Sequence, residues 1–130
     1  MALRTNPPLT SPQLTAIWVD LNRRYFNGAL PPIPLVWSRR LTSSVGMFVS
    51  RAGPRSSWSG SASHKSAPRE IRLSLPLLKL LLGRTLRGRN ELVSTLAHEM
   101  IHQWQYDILK RRPNHGTDFL RKMTEMNRDG

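Results

Sequence analysis

Cysteine is absent from the 130 residues of the sequence, and so are long apolar runs. The absence of cysteine excludes disulfides, thiol nucleophiles and a cysteine-based zinc ribbon within these residues. It also fits a reducing compartment. The longest apolar stretch, residues 73–82, is interrupted by Ser74, Pro76 and Lys79 and is too short to cross a bilayer. The opening MALRTNPPLT lacks the charged and then apolar pattern of a signal peptide. We therefore expect a soluble cytoplasmic protein, associated with the nucleoid if bacterial, that is neither secreted nor bound to a membrane.

Acidic residues are also scarce. Eight Asp and Glu stand against twenty Lys and Arg, which gives a formal net charge of +12 and an isoelectric point near 11.7. Sixteen of the basic residues are arginine, whose planar guanidinium suits bidentate contacts with phosphate. A charge of this size attracts polyanions. Nucleic acid is therefore the expected partner, and an anionic membrane surface comes second because no basic amphipathic helix indicates it.

A short motif, HEMIH at residues 98–102, carries the clearest chemical signal. Two histidines four residues apart lie on one face of an α-helix, because four residues nearly complete a turn of 3.6. The imidazoles of His98 and His102 can therefore bind a single metal ion. Glu99 lies on the flank of that face, where a carboxylate can take a proton from a water molecule at the metal. This H-E-x-x-H pattern is typical of zinc hydrolases and makes the chain a candidate metalloprotease.

The motif lies within a segment that has its own helix signals. Residues 90–109 carry apolar side chains at helical spacing, namely Leu92, Val93, Leu96, Met100, Ile101, Trp104 and Ile108. Asn90 and Glu91 are suited to the first turn, and the sequence KRRP at 110–113 is suited to the end of the helix. The alternative interpretation is that His98 and His102 are ordinary, partly buried histidines satisfied by hydrogen bonds.

A catalytic zinc ion keeps three protein ligands and leaves the fourth position open. His115 is the expected third ligand, since it follows a helix-breaking Pro-Asn pair and precedes a second helical pattern that could return it over the first helix. Asp107, Asp118 and Glu125 are the competing ligands. Asp107 is the weakest of them, because it lies five residues after His102 and points to another face of the same helix.

The rest of the pattern predicts a small α+β domain over residues 11–130, preceded by a flexible tail over residues 1–10. Pro12 after a Thr-Ser cap begins the first helix, and alternating apolar residues indicate three strands. The predicted elements, in order, are a helix at 11–27, strands at 33–39, 45–50 and 70–74, a short helix at 74–82, a basic linker at 83–89, the motif helix at 90–109 and a final helix containing Phe119, Leu120, Met123 and Met126.

Residues 51–68 are rich in Ser, Gly, Ala, Arg and Pro, which predicts an exposed loop at the tip of a hairpin. Trp58 lies in this loop among Arg51, Arg55 and Lys65. Aromatic faces among cations hold single-stranded nucleic acid by stacking. The alternative is that a lone aromatic residue in a polar loop has no role. Three more candidate contacts with nucleic acid lie in the predicted linker, namely Arg84, Arg87 and Arg89.

Four segments together resemble the SprT-like domain family, best known for the Spartan-type proteases of DNA–protein crosslinks. They are FNGALPPIPLVWSRRLTSSVGMF (26–48), IRLSLPLLKL (71–80), LVSTLAHEMIHQW (92–104) and NHGTDFLRKM (114–123). The resemblance covers most of the chain beyond the first helix. It implies a zincin-like metalloprotease core, Zn2+ held by His98, His102 and His115, Glu99 as the catalytic base, and DNA-bound or crosslinked proteins as substrates.

One departure from the family concerns DNA. Many members carry a cysteine zinc ribbon that contacts DNA, and the present sequence has no cysteine. We therefore expect contacts with DNA from the arginines of the core and from residues 51–68. A protease held on DNA by its charge would cut whatever protein lies nearby, as a monomer and without requiring a sequence motif in the substrate.

Two other functional classes stay open at this stage. One is a non-enzymatic nucleic-acid-binding or transcription-related protein with a structural zinc site, in which a fourth protein ligand would close the coordination shell. The other is a metal hydrolase that acts on a bond other than the peptide bond. Tyr106 and Arg72 are the candidates for stabilising an oxyanion during peptide hydrolysis.

Overall fold

The computed structural model describes residues 10–50, 69–82 and 86–128. Within these residues the chain forms four helices and a three-stranded sheet in one small domain, which confirms the expected α+β class. The elements are α1 (Ser11–Phe26), β1 (Leu35–Ser38), β2 (Gly46–Ser50), β3 (Arg69–Ser74), α2 (Leu75–Leu82), α3 (Leu86–Asp107) and α4 (Thr117–Arg128). No helix in the described part of the chain is long and apolar enough to cross a membrane.

Helix α1 begins where the sequence predicts. Thr10 accepts a hydrogen bond from the Gln13 backbone N–H (3.3 Å), and the Gln13 side chain accepts one from the Thr10 N–H (2.8 Å). This capping box satisfies two of the amides that an α-helix leaves without intrahelical partners. The helix ends at Phe26 because Asn27 and Gly28 adopt positive φ angles of 54° and 72°.

The sheet places β3 between the other two strands, in the order β1-β3-β2. β1 runs parallel to β3, and β2 runs antiparallel to it. The first strand is shorter than the predicted 33–39, and the proline at position 34, which has no N–H to donate, directly precedes it. β2 and β3 flank residues 51–68, so the two predicted strands do pair with each other, whereas the predicted loop lies outside the described residues.

The core lies between the sheet and the helices, with α3 at its centre, in contact with the other three helices and with β2 and β3. Leu92, Leu96 and Met100 on α3 are fully buried, as are Ile71 and Leu73 on β3. The alternation on β3 follows from its period of two, because the residue between Ile71 and Leu73 points to the other face. This packing fixes the angular position of α3, and therefore decides which of its residues face the cleft described below.

The largest difference from the predicted boundaries is at the beginning of α3. Helix α3 begins at Leu86, four residues before the expected Asn90, so part of the predicted linker at 83–89 is helical. Leucine and arginine favour helix, and the glycine at position 88 costs only about 1 kcal/mol relative to alanine in a helix interior. A plausible cap at Asn90 was therefore not the actual beginning of the helix. α3 ends at Asp107, and Lys110 just beyond it has a positive φ of 56°.

Candidate metal centre

Three histidines converge at one end of the cleft face of α3. His98 and His102 lie one turn apart on α3, with ring centroids 5.5 Å apart. His115 lies on the segment between α3 and α4, and its ring centroid is 5.7 Å from that of His98 and 4.9 Å from that of His102. One ligand atom from each side chain can be chosen so that all three atoms lie within 4.8 Å of one another. The structure thus brings together the three histidines that the sequence singled out.

The segment before α4 is shaped to present His115. The backbone N–H of Asn114 donates to the side-chain Oε1 of Gln105 on α3 (3.1 Å). The side-chain Oδ1 of Asn114 in turn accepts a hydrogen bond from the N–H of Gly116 (2.8 Å) and so bridges over His115. Asparagine favours such local turns because its short amide can bond to the backbone two residues on. The residues directly before and after His115 are therefore both fixed by hydrogen bonds.

Phe119 on α4 contacts all three imidazoles from below. Its ring centroid lies 4.7 Å from His98, 4.9 Å from His102 in a stacked arrangement, and 4.7 Å from His115. The side chain is buried, so it forms an apolar floor that restricts how the three rings can rotate. The sequence identified Phe119 only as an apolar residue of the last helix, because its spacing gives no indication of the histidines above it.

Glu99 is buried beside the histidines, with 6 % of its surface exposed. Burial raises the pKa of this carboxyl to about 7, although a hydrogen bond donated by the Phe48 backbone N–H opposes the shift. Strand β2 approaches this close to α3 because position 46 is glycine. A Cβ there would lie 2.7 Å from Thr95 Cγ2 and 3.2 Å from Glu99 Cγ. Glu99 therefore lies between the helix and an edge of the sheet.

The electrostatics favour neutral imidazoles, which is the form that binds metal. Burial lowers the pKa of His98, and the neighbouring His102 and His115 lower it further. Burial likewise lowers the pKa of His102 against a raising effect of its hydrogen bond with Gln105. Histidine nitrogens that converge in this way suit Zn2+, which is commonly bound by histidine in sites with three protein ligands.

The competing ligands named from the sequence are engaged elsewhere. Asp107 forms an ion pair with Arg69 (2.6 Å), and it also accepts a hydrogen bond from Gln103 (3.0 Å). The other two acids form ion pairs on the surface, Asp118 with Arg111 and Glu125 with Lys122. Within the described residues the cluster accordingly contains three histidines and no fourth protein ligand.

A cleft of about 620 Å³ opens above the histidines. Its walls come from β2 and the residue Ser44 before it, from the cleft face of α3, and from residues 112–115. Neither oxyanion candidate lies in these walls. Tyr106 is buried with its ring against Phe48 (5.5 Å), and Arg72 is paired with Glu70 across the sheet from the core. The structure therefore supports neither candidate, and it places Arg112 at the cleft instead.

The residues predicted to contact nucleic acid lie largely outside the described part of the chain. This applies to Trp58, Arg51, Arg55, Lys65 and Arg84. The backbones of Arg87 and Arg89 belong to α3, but their side chains are outside the description. A different basic segment, Lys110–Arg112, is exposed, and its last residue, Arg112, lines the cleft, whereas Arg111 forms an ion pair with Asp118. In the sequence these residues served only as a helix stop signal, and their closeness to His115 could have suggested a second role.

The chain is similar in sequence to known proteins over most of its length. The family model described as SprT-like family matches residues 14–130. DNA-dependent metalloprotease SPRTN from Homo sapiens is 36 % identical over 119 residues, which cover 90 % of this chain and 21 % of the human protein. The Bos taurus protein of that name is 37 % identical over 122 residues (91 % and 21 %), and DNA-dependent metalloprotease dvc-1 from Caenorhabditis elegans is 33 % identical over 123 residues (92 % and 29 %).

The chain spans only a fifth to about three-tenths of the length of these relatives. The similarity nevertheless extends over about nine-tenths of the chain itself, and the family model spans all of the described elements except the first turn of α1. The resemblance noted in the sequence is therefore confirmed, and the chain belongs to the SprT-like family.

Proposed function

We propose that residues 11–130 form a zinc-dependent metalloprotease domain that cleaves proteins bound or crosslinked to DNA. The observation that carries this proposal is the convergence of His98, His102 and His115 in one cleft with the buried carboxyl of Glu99 beside them. The names of the relatives, DNA-dependent metalloproteases, support the same function.

Each residue of the cluster has a role in this proposal. His98, His102 and His115 would hold Zn2+, which when bound lowers the pKa of a water molecule to about 7 and polarises a carbonyl group. Glu99, oriented by the N–H of Phe48, would accept the proton of the attacking water and later donate it to the nitrogen of the leaving amine. Phe119 would keep the imidazole rings in place and keep water away from their lower side.

The sheet supports peptide as the substrate. In the described sheet β2 pairs on one side only, with β3. A β3 amide donates to the carbonyl of Val45 (2.8 Å), and the backbone groups of alternate residues point to opposite sides of a strand. The backbone groups of Gly46, Phe48 and Ser50 therefore face away from β3, and all three residues line the cleft. Two of these groups are already bonded, since the Gly46 carbonyl accepts from Ser44 Oγ (2.9 Å) and the Phe48 N–H donates to Glu99. An extended peptide can still lie along this edge and present its backbone to the histidines.

The alternative of a structural zinc site is less well supported. A structural site closes its coordination shell with a fourth ligand, and the described residues supply three histidines, with the nearby acids in ion pairs. Burial of a carboxyl such as Glu99 also costs free energy that a structural site has no reason to incur. A hydrolase acting on another bond would not need the strand edge above the histidines.

The association with DNA rests on charge. The net charge is +12, and Arg112, in the exposed basic segment Lys110–Arg112, lines the rim of the cleft. Nucleic acid with single-stranded character bound along this rim would hold an attached protein near Glu99, so that cleavage depends on position and not on a sequence motif. In this proposal the domain acts as a monomer wherever DNA is found, in the cytoplasm at the nucleoid if the organism is bacterial.

The proposal is tested by cleavage of a DNA-binding protein by zinc-loaded protein, with no DNA, with single-stranded DNA and with duplex DNA. We expect cleavage to be fastest with single-stranded DNA. Glu99→Gln should reduce the rate about 10²- to 10⁴-fold, as expected for a general base, with zinc still bound. Glu91→Gln is the matched control, because Glu91 is an exposed glutamate on the same helix, two turns before His98, and does not line the cleft.

Three outcomes separate the parts of the proposal. Cleavage that needs Glu99 but not DNA would support the protease and overturn the dependence on DNA. Zinc binding without cleavage of any protein, bound to DNA or free, would contradict the protease. Arg112→Gln should lower the slope of binding against salt by about one, as expected for one lost phosphate contact, and Arg121→Gln on α4 should not. Equal effects of both variants would contradict a role for the cleft rim.

A further inference from the structure

Gln105 connects two parts of the candidate metal centre. It is fully buried on α3, three residues after His102. Its side-chain Oε1 lies 3.0 Å from His102 Nδ1 and 3.1 Å from the backbone nitrogen of Asn114. Asn114 directly precedes His115. A single amide oxygen therefore lies between one of the three histidines and the segment that presents another.

The partners of this amide determine which of its atoms faces them. A backbone N–H can only donate, so the atom opposite the nitrogen of Asn114 must be the oxygen of Gln105 and not its NH2 group. The same oxygen faces His102 Nδ1 and can only accept there as well. Nδ1 of His102 must then carry the hydrogen. The remaining nitrogen, Nε2, keeps its lone pair, and it is the atom of His102 left for a metal ion.

We propose that Gln105 is a positioning residue of the metal centre, which holds His102 as the Nδ1–H tautomer and ties the segment before His115 to α3. Metal-binding histidines generally donate their second N–H to an acceptor that fixes the tautomer and the ring orientation. Gln105 supplies that acceptor from within the same helix. It also couples the position of His102 to that of His115, because both depend on one oxygen atom.

The cost of this arrangement indicates that it serves the site and not the general stability of the fold. Gln105 Nε2 is buried and has no hydrogen-bond partner among the described residues. Leaving such a group without a partner costs free energy relative to a satisfied one. An apolar residue at position 105 would avoid this cost. Replacement of Gln105 by leucine should therefore leave the fold intact while it removes the acceptor for His102.

Gln103 provides a matched control two residues away. It is equally buried, but its amide bonds join other parts of the fold, accepting from Trp18 Nε1 (3.2 Å) and donating to Pro31 O (2.8 Å) and Asp107 Oδ2 (3.0 Å). None of these partners belongs to the histidine cluster. The two glutamines thus have the same chemistry and burial, and they differ in what they hold in place.

The test compares Gln105→Leu, Gln105→Glu and Gln103→Leu with the parent protein by three measurements. Imidazole ¹⁵N–¹H correlation spectra of the metal-free protein at pH 8 report the tautomer of His102. Competition with a chelator gives the affinity for Zn2+, and urea unfolding of the metal-free protein gives stability. For Gln105→Leu we expect a mixture of His102 tautomers and an affinity for Zn2+ lower by about 10- to 100-fold, with little loss of stability.

Gln105→Glu keeps an acceptor at the same place and should restore the Nδ1–H tautomer and most of the affinity. Gln103→Leu should lower stability and leave the tautomer and the affinity as they are. An unchanged His102 tautomer in Gln105→Leu would overturn the inference, as would equal affinities for Zn2+ in the two leucine variants.

The inference rests on the metal centre of the proposed function, and the two can fail separately. If the parent protein binds Zn2+ and cleaves no protein, the proposed protease fails while the comparison of the glutamine variants still tests Gln105. If Gln105→Leu binds Zn2+ and cleaves protein as the parent does, the role of Gln105 fails while the protease stands.

Discussion

Helix α3 has two faces that differ in how they are built. The face toward the core consists of apolar side chains at regular helical spacing, such as Leu92, Leu96 and Met100, all without exposed surface. The cleft face carries His98, Glu99 and His102, which are polar and held by Gln105 on α3 itself, by Phe48 on β2 and by Phe119 on α4. The core face therefore depends on volume and apolar character, whereas the cleft face depends on the identity and orientation of each atom.

The largest stability effect is expected from the core face. Leu96→Ala should lower the free energy of unfolding by about 2–5 kcal/mol, because it leaves a cavity at the centre of the core. Under conditions where the variant remains folded, its affinity for Zn2+ should match that of the parent. Urea unfolding and chelator competition measure the two quantities. Leu120→Ala is the control, since Leu120 is 59 % exposed and its truncation should change stability by only about 0.5 kcal/mol or less. A large change in the affinity of Leu96→Ala for Zn2+ would show that the two faces are not independent.

Burial of the Glu99 carboxyl on the cleft face should make the stability of the metal-free protein depend on pH. Burial raises the pKa of Glu99 to about 7 in the folded state, from 4.5 when exposed. Between these values the folded state binds the proton more tightly than the unfolded state, so stability is greatest below pH 4.5 with respect to this group and falls as the pH rises to 7. The fall should amount to about 3 kcal/mol. Glu99→Gln removes the ionisation and should flatten this part of the stability curve.

The measurement is urea unfolding of metal-free protein from pH 4.5 to 8, in the parent and in Glu99→Gln. Glu91→Gln serves as the control, because an exposed glutamate on the same helix should leave the curve of the parent unchanged. Parallel curves for the parent and Glu99→Gln would mean that the carboxyl of Glu99 is not buried at a cost. The expected role of this residue as a base would then have to be accommodated in a more solvated site.

The two faces also differ in how far the sequence predicts them. Apolar spacing was enough to predict α3, its four fully buried apolar residues and the order of the elements, because burial depends mainly on periodicity, although Ile108 of the predicted set is exposed. The motif brought out His98, Glu99 and His102 directly. Gln105 and Phe119 were not predicted, because their roles depend on atoms brought together by the return of the chain through residues 108–116. Tyr106 was one of two candidates for stabilising an oxyanion, but the packing of α3 buries it against Phe48.

Gly46 on β2 packs against Thr95 and Glu99 of α3, so a substitution there should affect both the stability of the fold and the activity of the cleft. In Gly46→Ala the added Cβ would lie 2.7 Å from Thr95 Cγ2 and 3.2 Å from Glu99 Cγ, so β2 must move away from α3. We expect a loss of about 1–3 kcal/mol in stability, as for an overpacked core, together with slower cleavage because Phe48 moves away from Glu99. Thr95→Ser removes the closest atom. The double variant should therefore recover part of both losses, and a double variant no better than Gly46→Ala would contradict the proposed contact.

The smallest effect on stability is expected from a substitution of Lys122. This residue of α4 contacts the core, whereas Phe119 of the same helix contacts the three histidines. Lys122 Nζ donates to the carbonyl of Tyr25 at the end of α1 (2.8 Å) and lies 5.0 Å and 5.1 Å from the ring centroids of Phe26 and Trp104. A cation at a helix C-terminus and over aromatic rings is stabilising, so Lys122→Met should lower the free energy of unfolding by about 1–2 kcal/mol. Arg121→Met, an exposed neighbour on the same helix, is the control and should change stability by only about 0.5 kcal/mol or less. Because none of these contacts reaches the histidines, the affinity for Zn2+ should be unchanged, and a loss of affinity in Lys122→Met would show that α4 transmits strain from the core to Phe119.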